Sequence, residues 1–198
     1  MSPETANPSP RRTQLLEAAY AYALTHGLAD LSLRPLAEAI GSSTRVLMFL
    51  FGNKDGLVRA LLERGRADEL ALLARLRRSD RPVGLLVAAD QVWAWLAADE
   101  HRPLLRLWAE AYARSLVEPD GPWAGFARAT VDDWLDVLAA CQPPAERETE
   151  DGAVRRTLTL AVLRGALLDL LATDDGARGT AAVHRQLALL RGEDRDGS

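Results

Sequence analysis

The stretch SLRPLAEAIGSSTRVLMFLFG, Ser32 to Gly52, constrains the fold of this chain more than any other. Ser32 and Ser43 stand where helix N-caps are expected, and Pro35 falls in a first turn, where a missing N–H is tolerated. Gly41 and Gly52 are suited to ending the two segments. Two helices of about eight residues each, joined by Gly41-Ser42-Ser43, have the spacing of a helix-turn-helix, whose second helix enters the major groove of DNA. At about 100° per residue, Val46, Leu50 and Phe51 share a side with Leu47, while Arg45, Met48 and Phe49 cluster opposite. The second helix therefore has two apolar faces, of which its own domain can bury one. It is a recognition helix, a two-sided core segment, or a former reader turned into a protein contact.

The rest of the chain reads as helix too. Ser9 and Pro10 start a segment that stops at Gly27, with Leu15, Leu16, Ala19, Tyr22 and Ala23 at helical spacing. Asn53 caps a fourth segment running to about Arg78. Asp80–Ala98, Arg102–Val117, Pro122–Cys141, Ala145–Ala172 and Asp175–Leu190 follow, separated by Pro- and Gly-containing breaks. No segment alternates with period two, so the expected fold is all-α with about nine helices and no sheet. GEDRDGS at the end reads as a frayed tail, and MSPETANPSPRR at the start as a disordered arm without the apolar core of a signal peptide.

Charge is unevenly spread. The net charge is −4, yet residues 1–65 carry seven basic and six acidic side chains, while the remainder carries 17 and 22. The N-terminal part is free to approach phosphates; the acidity sits elsewhere. No run approaches the roughly 18 apolar residues of a membrane span. The single cysteine, Cys141, excludes an intrachain disulfide framework and a multi-cysteine zinc site, and a reducing cytoplasm is the simplest compartment.

LSLRPLAEAIGSSTRVLMFLFGNKDGLVRALL, preceded by AYALTHGLAD, resembles the N-terminal domain of TetR-family transcriptional regulators. The resemblance covers about 50 residues and rests on Gly27, Ser32, Leu36-Ala37, Gly41, Ser43, Leu47, Phe51, Asn53, Lys54, Asp55 and Leu57. It implies a DNA-binding domain over residues 1–53 and a helical ligand-sensing and dimerisation domain over 54–198. It further implies a homodimer that binds a near-palindromic double-stranded DNA operator, with Ser32, Ser43, Thr44, Arg45, Met48, Phe49 and Lys54 at the DNA. Lys54 and the first N–H groups of the fourth helix would hold a phosphate. The sequence departs from the family at Met48, Phe49 and Leu50, where a tyrosine and a histidine are common. Apolar contacts with thymine methyls or deoxyribose then replace hydrogen bonds to phosphate.

All five tryptophans lie between residues 93 and 134. Trp93, Trp108, Tyr112, Trp123, Phe126 and Trp134 are candidates for lining a pocket for a small apolar or aromatic effector, with ordinary core as the alternative. Trp93 and Trp95, two apart on a helix, cannot both point inward. Arg164 is the expected partner for Asp169, as a structural ion pair. Leu158, Val162, Ala166 and Leu170 form one stripe and Val183, Leu187 and Leu190 another, either for a dimer interface through the last two helices or for the monomer's own core. His26, His101 and His184 have no metal-ligand spacing. No Walker loop, dinucleotide fingerprint or G-x-S-x-G is present, so neither a cofactor nor catalysis is expected. The competing reading is a helical protein-interaction module.

Overall fold

A computed structural model describes residues 9–28, 31–76, 82–118 and 120–196. The N-terminal arm up to residue 8 and the last two residues lie outside that range. Among the described residues there are ten α-helices, one short 3-10 turn and no strand. The sequence expectation of an all-helical chain holds.

Helix α1 (Pro10–His26) starts where Ser9 accepts a hydrogen bond from the Arg12 N–H at 3.3 Å and ends at Gly27, whose φ is +78°. Helix α2 (Leu33–Ala39) follows Ser32, which is extended but makes no side-chain cap bond, so the capping expected of it is positional only. Helix α3 (Thr44–Phe51) is capped by Ser43, which accepts from the Val46 N–H at 3.3 Å, and closes at Gly52 with φ +81°. Asn53 Oδ1 accepts from the Gly56 N–H at 2.8 Å and starts α4 (Lys54–Leu76). The expected end of that helix, at Arg78, lies outside the described residues.

The second half comprises α5 (Leu85–Ala97), a 3-10 turn (Asp99–His101), α6 (Arg102–Val117), α7 (Phe126–Cys141), α8 (Pro144–Arg147), α9 (Glu150–Thr173) and α10 (Gly176–Asp196). Four boundaries differ from the sequence reading, each for a local reason. Gly84, at φ +88°, starts α5 at Leu85 instead of near Asp80. Pro122 to Gly125 form turns, and Gly125, left-handed at φ +73°, delays α7 to Phe126. Thr149 accepts from the Gly152 N–H at 2.9 Å and opens a fresh helix there, splitting α8 from α9. Helix α10 runs on to Asp196, through most of what reads as a frayed tail.

Two apolar cores result. The head core joins α1, α2, α3 and the first turns of α4 through buried Ala19, Tyr20, Leu36, Leu47, Phe51 and Leu61. It also takes in Leu107 and Ala111 of α6, and Trp123. Full burial of one such leucine stabilises by about 1.5–3 kcal/mol. Arg64 holds α1 onto α4: its Nε meets Glu17 at 2.7 Å, its Nη1 meets Asp68, and its guanidinium lies 4.8 Å over the Tyr20 ring. The second core joins α5, α7, α9 and α10 around Trp93, Leu138, Leu163 and Leu170.

Val183, Leu187 and Leu190 are buried in this protomer, so the α10 stripe covers the monomer's own core. The predicted Arg164–Asp169 pair does not form. Five residues apart on a helix puts the two about 140° apart. Arg164 turns inward, and Asp169 stays exposed, 3.7 Å from Arg178 of α10.

Candidate functional site

Two places bear on function: the outer face of α3 and a cavity in the second half. On α3, Leu47 and Phe51 are buried and Leu50 is half-buried, as the helical wheel predicts. Val46, assigned by that wheel to the core side, is exposed. Arg45, Met48 and Phe49 are all exposed, Phe49 at 86% of its surface, while Thr44 is half-buried. Ser32 and Ser43 are exposed at the starts of α2 and α3, and Lys54 is exposed at the start of α4. Arg12 of α1 lies 5.0 Å over the Phe51 ring at the end of α3, which adds a cation there to Lys54, with Arg45 at the start of the same helix. Cations flanking two uncovered apolar side chains suit a polyanion with apolar groups between its charges.

Gly56 fixes the angle at which α3 meets α4. A Cβ there would sit 2.0 Å from the Phe51 carbonyl oxygen, closer than any atom pair tolerates. The sequence reading used the Asn53-Lys54-Asp55 start of α4 but passed over this glycine.

The cavity measures about 50 Å³ and lies between α4, α5, α6, α7 and α9. Of the predicted residues, Trp108, Phe126 and Trp134 line it. Tyr112 sits behind Trp108, ring centroids 5.0 Å apart, and touches Arg164 rather than the open space. Trp93 and Trp123 do not reach it. Trp93 is packed over Gly179, with its Nε1 donating to Thr180 Oγ1 at 3.0 Å; Trp123 belongs to the head core. The incompatibility of Trp93 and Trp95 is resolved accordingly: Trp95 turns toward the cavity and stacks on His101 at 4.0 Å.

The polar residues of the cavity are Arg66 and Glu69 of α4, Trp108, Trp134 and Arg164. Sequence reasoning missed the α4 pair. The signal was the helical spacing of Val58, Leu62, Gly65 and Glu69, which continues the buried stripe of the head into the cavity wall. Arg66 grips Asp133 of α7 through Nε and Nη2, at 2.8 and 3.0 Å. Glu69 is buried and accepts a hydrogen bond from Trp134 Nε1. Burial pushes its carboxyl up to about 7; the Trp134 bond opposes the shift and neighbouring Asp133 adds to it. Arg164 donates from Nη1 to the Tyr112 hydroxyl at 3.4 Å, with its guanidinium 5.3 Å from that ring. Burial pulls this guanidinium below its ordinary range. Its Nε and Nη2, and the Trp108 Nε1, are buried with no hydrogen-bond partner among the described residues.

Helices α4 and α6 join the head core to the cavity. Leu61 and Leu62 of α4 and Leu107 and Ala111 of α6 pack in the head core and also line the cavity. Glu110 of α6 accepts the Leu28 N–H, just beyond the end of α1, at 2.9 Å through Oε2 and 3.2 Å through Oε1.

Residues 15–61 match the family model of bacterial regulatory proteins, tetR family. An HTH-type transcriptional regulator, BetI, from Burkholderia thailandensis is 32% identical over 114 residues. That match spans just over half of either chain, 55% of this one and 56% of the relative. A TetR-family regulator from Cytophaga hutchinsonii has the same fold, with a TM-score of 0.76 at 18% identity over 96% of this chain and 97% of that one. The multidrug binding protein EbrR, solved with imidazole, superposes with a TM-score of 0.65 at 22% identity, covering 93% and 96% of the two chains. The head's sequence and its helix-turn-helix geometry thus agree: residues 15–61 carry the tetR-family pattern, and the whole chain has the fold of solved TetR-family regulators.

Proposed function

We propose that this protein is a dimeric transcriptional repressor that binds a near-palindromic DNA operator and is released by a small apolar or aromatic effector held in the cavity. The observation that carries the reading is the double membership of α4 and α6, whose side chains pack in the head core and line the cavity at once. EbrR, a multidrug binding protein of the same fold, supports the effector half of the reading by analogy.

Arg45 and Lys54 contact phosphate or a guanine edge, and Met48 and Phe49 meet thymine methyls or sugars. The first N–H groups of α4 add a phosphate seat beside Lys54. A cavity of about 50 Å³ is a third of the roughly 150 Å³ that holds benzene in an engineered protein core. An effector of benzene size or more therefore enters only as the surrounding helices move apart, and a movement of α4 or α6 reaches the head through the side chains they share with it. Ligand and DNA then prefer different arrangements, and each weakens the other.

The dimer reading rests on α9. Val154, Leu158, Ala161, Gly165 and Leu168 are exposed at helical spacing, with Leu189 of α10 also exposed. Two such helices and their two-fold copies make a four-helix interface. The test is a mobility shift on DNA upstream of the protein's own gene at several salt concentrations, with sedimentation beside it. Salt-sensitive binding of a dimer is expected; no binding at low salt would sink the repressor. A second reading, a helix-turn-helix turned into a protein contact, is favoured by the 86% exposure of Phe49, and it predicts no DNA shift.

A further inference from the structure

Five buried side-chain atoms have no hydrogen-bond partner among the described residues, and three of them belong to two cavity-lining residues, Trp108 and Arg164. All three are donors: Trp108 Nε1, Arg164 Nε and Arg164 Nη2. A buried donor left unpaired is costly, and native proteins rarely gather several in one wall. The Nε and Nη2 of an arginine form the side edge of its fork, which matches the two oxygens of a carboxylate. Arg66 shows that use in the same wall, where the corresponding edge grips Asp133 at 2.8 and 3.0 Å.

We propose that the cavity takes an apolar molecule bearing one carboxylate, seated on the Nε/Nη2 edge of Arg164 with the Trp108 indole N–H as a third donor. The proposal rests on the reading of this cavity as the effector site and adds the chemical class of its ligand. The body of the molecule lies among Leu105, Leu160, Leu163 and Leu167, where no polar atom competes for it. Glu69, the acid of the same wall, is occupied by Trp134 Nε1 and is not Arg164's hydrogen-bond partner. A quaternary ammonium ligand is disfavoured because the wall already carries the Arg164 guanidinium, a like charge with two unpaired donors.

Calorimetric titration of the full chain with two matched series tests this. One series is 4-phenylbutanoate, 4-phenylbutanamide and (3-phenylpropyl)trimethylammonium; the other is decanoate, decanamide and decyltrimethylammonium. In at least one series the carboxylate binds about tenfold or more tightly than its amide, as expected for a charge-assisted bidentate pair. In Arg164→Gln that preference falls to within about twofold while the amide binds as before, so the amide reports that the cavity is intact. Trp108→Phe, which keeps the ring and removes the donor, lowers the preference by a smaller factor. If Arg164→Gln does not fold, Trp108→Phe alone carries the test, and an unchanged preference there overturns the proposal. An amide or ammonium that binds as tightly as the carboxylate and releases DNA overturns the carboxylate assignment but leaves the cavity as the effector site. Binding of no probe in either series overturns both.

Discussion

Arg64 in the head and Arg164 in the second half occupy opposite situations. Arg64 meets two carboxylates, Glu17 and Asp68, and lies over Tyr20, whose hydroxyl in turn donates to Asp68 at 3.0 Å. Arg164 meets only a phenol, at 3.4 Å, and leaves two buried donors without a partner. Arg64 is thus saturated by its own surroundings, and Arg164 in the cavity wall is not. A unit that presents a fixed surface gains from the first condition; a unit that must change on binding gains from the second.

The contrast can be broken at Gly56. Gly56→Ala puts a methyl against the Phe51 carbonyl, which is backbone and cannot rotate away, and should destabilise the head by about 3 kcal/mol or more. If the halves differ as described, DNA binding in a mobility shift is lost while probe binding in the cavity survives. Loss of both would mean that the cavity depends on the head for its shape.

Glu69 sharpens the same contrast through pH. The folded chain holds the Glu69 proton up to about 7, whereas the unfolded chain releases it near the usual 4.5. Between those values the folded state binds more protons, so this group's contribution to stability falls as pH rises through the window and is level on either side. Glu69→Gln keeps an acceptor for Trp134 and removes the ionisation. Denaturant titration at pH 8 should find it more stable than the parent by about 2 kcal/mol, with no difference near pH 4. An equal or lower stability at pH 8 would mean that Glu69 is compensated in the folded wall.

The smallest effect on stability is expected at Phe49. Phe49→Ser, at a position 86% exposed, should change stability by less than about 0.5 kcal/mol. The same change should weaken operator binding about tenfold if the ring meets a thymine methyl or sugar. Unaltered DNA binding would remove Phe49 from the reading surface.

The head was legible because its chemistry is local. Ser9, Ser43 and Asn53 each sit within three residues of the N–H they accept, and Gly27 and Gly52 end helices at the φ their lack of a side chain allows. Leu47 and Phe51 follow from helical period alone. The cavity was legible only in part. The tryptophans cluster in sequence but divide in space, because neighbours on one helix face different partners, as Trp93 and Trp95 do. Arg164 was assigned to Asp169 by proximity in sequence, although helical geometry puts five-residue neighbours on different faces. Arg66 and Glu69 were passed over: the spacing from Val58 through Leu62 and Gly65 to Glu69 puts Glu69 on the buried stripe, but it does not say which cavity that stripe meets. Gly56 left no pattern either: its need arises from a carbonyl of the preceding helix, brought close only by the turn between them.

The bond from Leu28 to Glu110 has a mechanical consequence. One N–H is received by both oxygens of a single carboxylate, at 2.9 and 3.2 Å, so either oxygen can keep the bond while the carboxyl group turns. Such a contact tolerates a turn of the carboxyl group about its own bond, but it does not let α6 draw away without pulling on the chain just beyond α1.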